Sequence, residues 1–160
     1  MKYLSLKKEN ENFVLDLVGF FEDEYKEQVK ELEKHSIAHF YGFQSDPRPF
    51  YIEADCVVLP SYHEGMSNVL LEAAATGRPV VTSNIPGCRE SVENGKSGLL
   101  VEVKNKEMLY DAMKEMLHCS REEREQMGQA GREKMEREFR KEVVVEKTVQ
   151  SLRGDEKRDF

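Results

Sequence analysis

The sequence predicts an α/β domain with a mainly parallel sheet flanked by helices. Three observations carry that reading. Short runs rich in Val, Ile, Leu and Phe alternate with stretches of helical periodicity along the chain. Gly or Pro marks many of the changeovers, as at Gly42, Pro60, Gly77 and Pro79. The 160 residues suit one ordinary domain with its own core. Alternating strands and helices imply crossover connections, and these give parallel pairs.

The elements follow in order. Residues 13–20 (FVLDLVGF) read as a buried strand. Residues 23–34 place Tyr25, Val29 and Leu32 at helical spacing among charges, a surface helix. A second strand covers 37–41, with His39 packed or at a strand edge, and Gly42 closes it. Pro47 and Pro49 open a short helix through Phe50 and Ile52. Residues 55–59 (DCVVL) form a third strand stopped by Pro60. The next helix spans 67–76, with Ser67 as N-cap, Gly77 just past its end and Pro79 blocking continuation. A fourth strand at 80–82, a short helix at 86–93, a turn at 95–98 (GKSG) and a fifth strand at 99–103 complete the sheet. From Asn105 the chain is helical, with Met108, Leu109, Ala112, Met113, Met116 and Leu117 on one face. Residues 122–138 form a charged helix with a solvated face and i,i+4 pairs. A last helix covers 141–152. The domain is thus expected over 1–152, followed by a frayed charged tail at 153–160. Right-handed crossovers bring the strand C-terminal ends to one edge, where open sheets bind ligands.

Composition narrows the function. The net charge of −7, with basic and acidic residues mixed, argues against nucleic acid, whose affinity comes from phosphate neutralisation. No apolar run is long enough to span a bilayer, and the first twelve residues lack a signal-peptide core. A cytoplasmic protein is expected. Cys56, Cys88 and Cys119 form no CxxC pair. His35, His39, His63 and His118 show no metal-ligand spacing, so no metal site is expected. There is no GxGxxG for a dehydrogenase and no GxxxxGK[ST] for a P-loop.

The chemistry concentrates in residues 60–81, PSYHEGMSNVLLEAAATGRPVV. Val69, Leu70, Leu71, Ala73, Ala74 and Ala75 make the helix apolar around most of its circumference, which reads as buried. Asn68, Glu72 and Thr76 lie four apart and form one polar stripe. A carboxylate in an apolar helix is costly unless partnered, so Glu72 needs Arg78 or a ligand's hydroxyls. Glu64, Gly65, Met66 and Ser67 follow a strand and feed a helix N-terminus. Free N–H groups and the helix dipole there favour an anion such as a pyrophosphate, and Gly65 permits close backbone approach. Glu64 and Glu72 would bracket that anion.

EGMSNVLLE resembles the E-x7-E motif of retaining glycosyltransferases of the GT-B fold, family 4. The flanking blocks match as well: a strand ending in LPS, then EAAATGRPVV, then NIPGCRESVENGKSGLLVE. The likeness runs over about residues 13–152 and is greatest to bacterial enzymes of capsule, lipopolysaccharide or exopolysaccharide assembly. It implies a Rossmann-like donor-binding domain, the C-terminal half of a GT-B fold. Glu64 would contact hydroxyls of the transferred sugar and support the reacting centre, and Glu72 would hydrogen-bond the ribose. Backbone N–H groups of Gly65, Met66, Ser67 and Asn68 would hold the diphosphate and sugar. The turn at Gly42, Phe43 and Gln44 would receive the base. The donor would be a UDP-, GDP- or ADP-sugar, with no cofactor and no metal. The acceptor would be a glycan or lipid-linked sugar, and the full enzyme would work at the inner face of the membrane.

Two parts of the family's pattern are missing. There is no room for an N-terminal acceptor domain. The first strand of the donor domain, central in the sheet and carrying basic residues, is also missing. Residues 1–8 resemble the helix that follows it, and Lys7 and Lys8 fall too late to replace its cations. Because fixed cations stabilise a departing pyrophosphate, the chain alone is expected to be inactive. A non-catalytic nucleotide-sugar-binding fragment, or one half of a split enzyme, is therefore the rival reading. A sugar-nucleotide epimerase of the same architecture fits the motif less well.

Overall fold

The computed structural model describes Leu6, residues 12–20 and residues 23–155. Expectations for residues 1–8, including Lys7 and Lys8, lie outside these, apart from Leu6. So does the end of the tail, at 156–160; residues up to Asp155 belong to the last helix.

Five strands form, β1 (Leu15–Val18), β2 (Ala38–Gly42), β3 (Val57–Leu59), β4 (Val80–Ser83) and β5 (Gly98–Val101), and every pairing is parallel. They make two sheets among the described residues, β1-β2 and β3-β4-β5. The common doubly wound order is 3-2-1-4-5-6. Among the described residues the order is that pattern without its strand 1.

Among the elements described in full, six helices connect and flank the strands: α1 (Lys26–Lys34), α2 (Arg48–Glu53), α3 (Asn68–Ala75), α4 (Lys106–His118), α5 (Arg121–Glu138) and α6 (Lys141–Asp155). Pro47 and Pro49 start α2, where a missing N–H costs nothing. Asn105 caps α4 by accepting from the Met108 N–H. Ser120 and Glu123 form a reciprocal capping box on α5.

β4 is buried along its whole length, because strands pair on both of its edges. Around it, Tyr51, Leu70, Ala73, Val80, Cys88 and Val92 form one core cluster. Val81, Val101, Ala112 and Met116 form another under α4. A third joins the two sheets: Leu6, Phe13, Ile37 and Met113 pack with Leu15 of β1 and Val58 of β3.

Several expectations need correction. Residues 13–20 are not a buried strand. β1 alternates between half-buried and exposed positions, and Val18 and Phe20 are exposed; among the described residues β1 pairs along one edge, with β2. The expected helix at 86–93 is a single 3-10 turn at Arg89–Ser91, since Gly87 takes φ +87°, outside the helical region. α3 is not buried all round. Leu70, Ala73 and Ala74 face the core, while Val69 and Glu72 lie on the open side. α5 is more than a solvated face: Gly128, Gly131, Lys134 and Met135 are buried in it. No described helix is long and apolar enough to cross a membrane.

Candidate functional site

The chain leaves the C-terminal end of β3 at Leu59, runs through the loop at 60–67, and enters α3. This puts the motif at the ligand-binding edge of the sheet. A cleft of about 300 Å³ lined by Asp55, Arg78, Arg121 and Arg124 lies at the opposite end, before β3 and β4, away from this edge.

A backbone latch fixes the loop. The Ser67 N–H donates to the Gly87 carbonyl at 3.0 Å. The Gly87 N–H in turn donates to the Glu90 carboxylate at 2.7 Å. Gly87 also touches the loop directly, since a Cβ there would lie 1.5 Å from the Gly65 carbonyl oxygen. Ser67 is buried at 3% exposure under this contact.

Ser67 has the extended backbone of an N-cap, but its hydroxyl makes no capping bond, contrary to the sequence expectation. Its backbone is held from both sides instead, by Gly87 and by the Leu71 N–H, which donates to the Ser67 carbonyl. As a result the first-turn N–H groups of Asn68, Val69 and Leu70 meet no acceptor among the described residues. Three free donors at the positive end of a helix are what an anionic ligand requires.

The two glutamates have separate environments. Glu64 is exposed, and its Oε1 accepts from the Ser61 hydroxyl at 2.8 Å. Glu72 is also exposed, so it bears little of the desolvation cost the sequence reading assigned to it. Its partner is not Arg78. The Tyr51 hydroxyl donates to Glu72 Oε2 at 3.1 Å, while the Arg78 guanidinium donates to the Ile52 carbonyl. Burial, and then the hydrogen bond to Glu72, push the Tyr51 hydroxyl up to about 12. Thr76 donates back to the Glu72 carbonyl within the helix. Gly65, Met66 and Asn68 are exposed at the loop and first turn.

Phe43 and Gln44 lie after β2, on the other sheet. Gln44 donates to the Tyr41 carbonyl at 2.7 Å and so stabilises its own turn. The Phe43 ring is already stacked on Phe20, with centroids 5.3 Å apart and planes 7° from parallel. Both rings are exposed, at 63% and 85%. α2 links this turn to the motif: Phe50 meets Tyr41 edge-on at 4.9 Å, and the adjacent Tyr51 reaches Glu72. Tyr51, Phe20 and Gly87 are the site residues that sequence reading missed. Tyr51 carried a faint signal, as an aromatic with a polar tip in a helix just before a strand.

No side chain near the motif is poised as a thiol nucleophile. Burial pushes Cys56 up to about 12 and raises Cys88. His63 is exposed beside Glu64. No group of three or more potential metal-ligating side chains occurs among the described residues.

Residues 2–134 match the family described as glycosyl transferases group 1. The capsular polysaccharide biosynthesis glycosyltransferase CapM of Staphylococcus aureus is 32% identical over 102 residues, 64% of this chain and 27% of that protein. The lipopolysaccharide core biosynthesis glycosyltransferase LpsE of Rhizobium meliloti is 31% identical over 113 residues, 71% of this chain and 33% of that protein. The chain thus spans between a quarter and a third of the length of these curated relatives. Among solved structures, Anabaena HepE in complex with UDP superposes with a TM-score of 0.78 at 21% identity, covering 95% of this chain and 44% of that one. With its parallel α/β architecture and this match over most of its length, the chain belongs to the group 1 glycosyl transferases and has the fold of GT-B enzymes.

Proposed function

We propose that this chain is the donor-binding domain of a retaining family 4 glycosyltransferase that uses a nucleotide-sugar. The observation that carries the reading is the set of free N–H groups at Asn68, Val69 and Leu70, held between Glu64 and Glu72 at the C-terminal edge of the sheet. The donor's diphosphate would sit on these groups and on the Gly65–Met66 backbone. Glu72 would bind the ribose and Glu64 the hydroxyls of the transferred sugar. The base would lie at Phe43 and Gln44. HepE was solved with UDP, which supports a nucleoside diphosphate as the ligand class.

In the whole enzyme the acceptor oxygen would bond to the anomeric carbon as the bond to the diphosphate breaks. The departing phosphate oxygen would take the acceptor's proton, with no metal required. The acceptor, a glycan or lipid-linked sugar, would be held by a separate N-terminal domain, and the reaction would run at the cytoplasmic face of a membrane. CapM and LpsE support a role in capsule or lipopolysaccharide assembly. The sheet, divided in two among the described residues, is compatible with a second reading, a binding module or half of a split enzyme that transfers no sugar alone.

Calorimetric titration with UDP, GDP and ADP tests the donor site. One nucleotide should bind selectively, and Glu72→Ala should weaken it about tenfold or more, the usual loss for hydrogen bonds to a charged group. Binding as tight in Glu72→Ala as in the parent would remove the ribose assignment. A chelator should leave binding unchanged. Sugar transfer by the purified chain would overturn the second reading.

A further inference from the structure

We propose that Tyr51 is a positioning residue for donor recognition, whose buried hydroxyl holds the Glu72 carboxylate with Oε1 free for the ribose hydroxyls. The inference rests on the donor-binding reading above.

The ring of Tyr51 is 7% exposed and packs in the core with Leu70, Ala73, Val80, Cys88 and Val92. It is unable to turn without repacking that cluster. Its helix, α2, is fastened at two further points. The Arg78 guanidinium donates to the Ile52 carbonyl, and Phe50 packs edge-on against Tyr41. The Tyr51 hydroxyl is therefore a fixed point relative to α3.

Glu72 is the opposite case. It is exposed, and a free glutamate on a helix surface samples several rotamers. The 3.1 Å bond from Tyr51 to Oε2 selects one of them. Oε1 accepts nothing among the described residues. One oxygen is thus anchored and the other open. Glu72 follows Asn68 by one helical turn on the same stripe of α3, whose first turn carries the free N–H groups. A ligand seated on those donors would meet a carboxylate already in place, at a lower ordering cost on binding.

A purely structural tie between α2 and α3 makes a different prediction. It would affect stability, or weaken every ligand alike. A positioning role acts on the ribose hydroxyls in particular.

The test compares UDP, GDP and ADP with their 2′,3′-dideoxy counterparts by calorimetry, on the full chain. The parent should prefer the ribose form of the nucleotide it binds. Tyr51→Phe should reduce that preference about tenfold while leaving dideoxy affinity unchanged. Added to Glu72→Ala, the same substitution should change nothing further. An unchanged preference in Tyr51→Phe, or equal losses for the ribose and dideoxy forms, would overturn the inference and leave the donor reading standing. A parent that binds none of the nucleotides would overturn both. Should Tyr51→Phe fail to fold, para-fluorophenylalanine at position 51 replaces it, since fluorine fills the space of the hydroxyl but donates no hydrogen bond to Glu72. Loss of the preference supports the positioning role, and a retained preference overturns it.

Discussion

At Gly87 the lack of a side chain sets where the motif loop rests. The residue has φ +87°, and a Cβ would collide with the carbonyl oxygens of Gly65 and Glu64, at 1.5 and 2.7 Å. Those atoms are backbone and have no rotamer to escape into. Gly87→Ala should therefore destabilise the fold by at least about 2 kcal/mol, combining left-handed strain with the clash. It should also displace the loop and abolish nucleotide binding. Gly95→Ala is the control. Gly95 has φ +76° with nothing within 4 Å of a new Cβ, so strain alone should cost about 1 kcal/mol and binding should survive. Urea melts and calorimetry on the two variants check this, and equal costs would mean the contact with Gly65 does not matter. The sequence put Gly87 in a short helix, although it stood inside a recognised block. A glycine's φ is settled by which backbone it meets, and Gly65 is far away along the chain.

Helix α5 shows the same limit over eighteen residues. Its length and start were legible, because Ser120 and Glu123 form a capping box with a local signature. Its packed face was not. Gly128 and Gly131 add nothing to hydrophobic periodicity, yet they are buried positions on this helix. Among the charged residues the helix read as a charged one with a solvated face. The two glycines should answer differently to alanine. At Gly128 a Cβ would lie 1.9 Å from the Gly77 carbonyl oxygen, which belongs to the turn that ends α3. Gly128→Ala should cost about 1–3 kcal/mol of overpacking despite the better helix propensity. At Gly131 the nearest neighbours would be the Ala74 and Ser97 Cβ atoms at 3.6 Å, an ordinary contact. Gly131→Ala should then stabilise by about 0.5–1 kcal/mol. Thermal melts of both variants decide it; a loss at Gly131 equal to that at Gly128 would sink the distinction. α3 divides in a similar way. Its polar stripe of Asn68, Glu72 and Thr76 was readable from spacing. That Glu72 pairs with Tyr51 rather than Arg78 depends on how α2 docks, which no local pattern encodes.

For the whole molecule, class and parallel pairing were legible, because alternating strands and helices imply crossover connections. What no local pattern gives is which backbone groups face the break between the sheets. Hydrogen bonding supplies that. Leu15 N–H donates to Ile37 O, and Gly19 N–H to Gly42 O, so the N–H groups of β1 that face β2 are those of the odd-numbered residues. Asp16 and Val18 therefore point their N–H groups to the edge that has no strand partner among the described residues. In β3 the Val57 N–H donates to Pro79 O, which leaves Val58 pointing away from β4. Side chains beneath the break are packed, since Leu15 and Val58 share a cluster with Phe13, Ile37 and Met113. Among the described residues this backbone edge has no strand partner, while the side chains beneath it are packed. Hydrogen exchange separates the two. The amides of Asp16, Val18 and Val58 should exchange much faster than those of Leu17 and Leu59, their neighbours in the same strands. The N–H groups of Val81 and Thr82, inside a strand paired on both edges, should be slowest of all. An alternating pattern within β1 and β3 would show edges that water reaches with the fold intact. Uniform protection across both strands would mean that the edges are covered in solution. Uniform fast exchange would mean that the small sheet opens as a unit, and that the shared cluster is too weak to hold it.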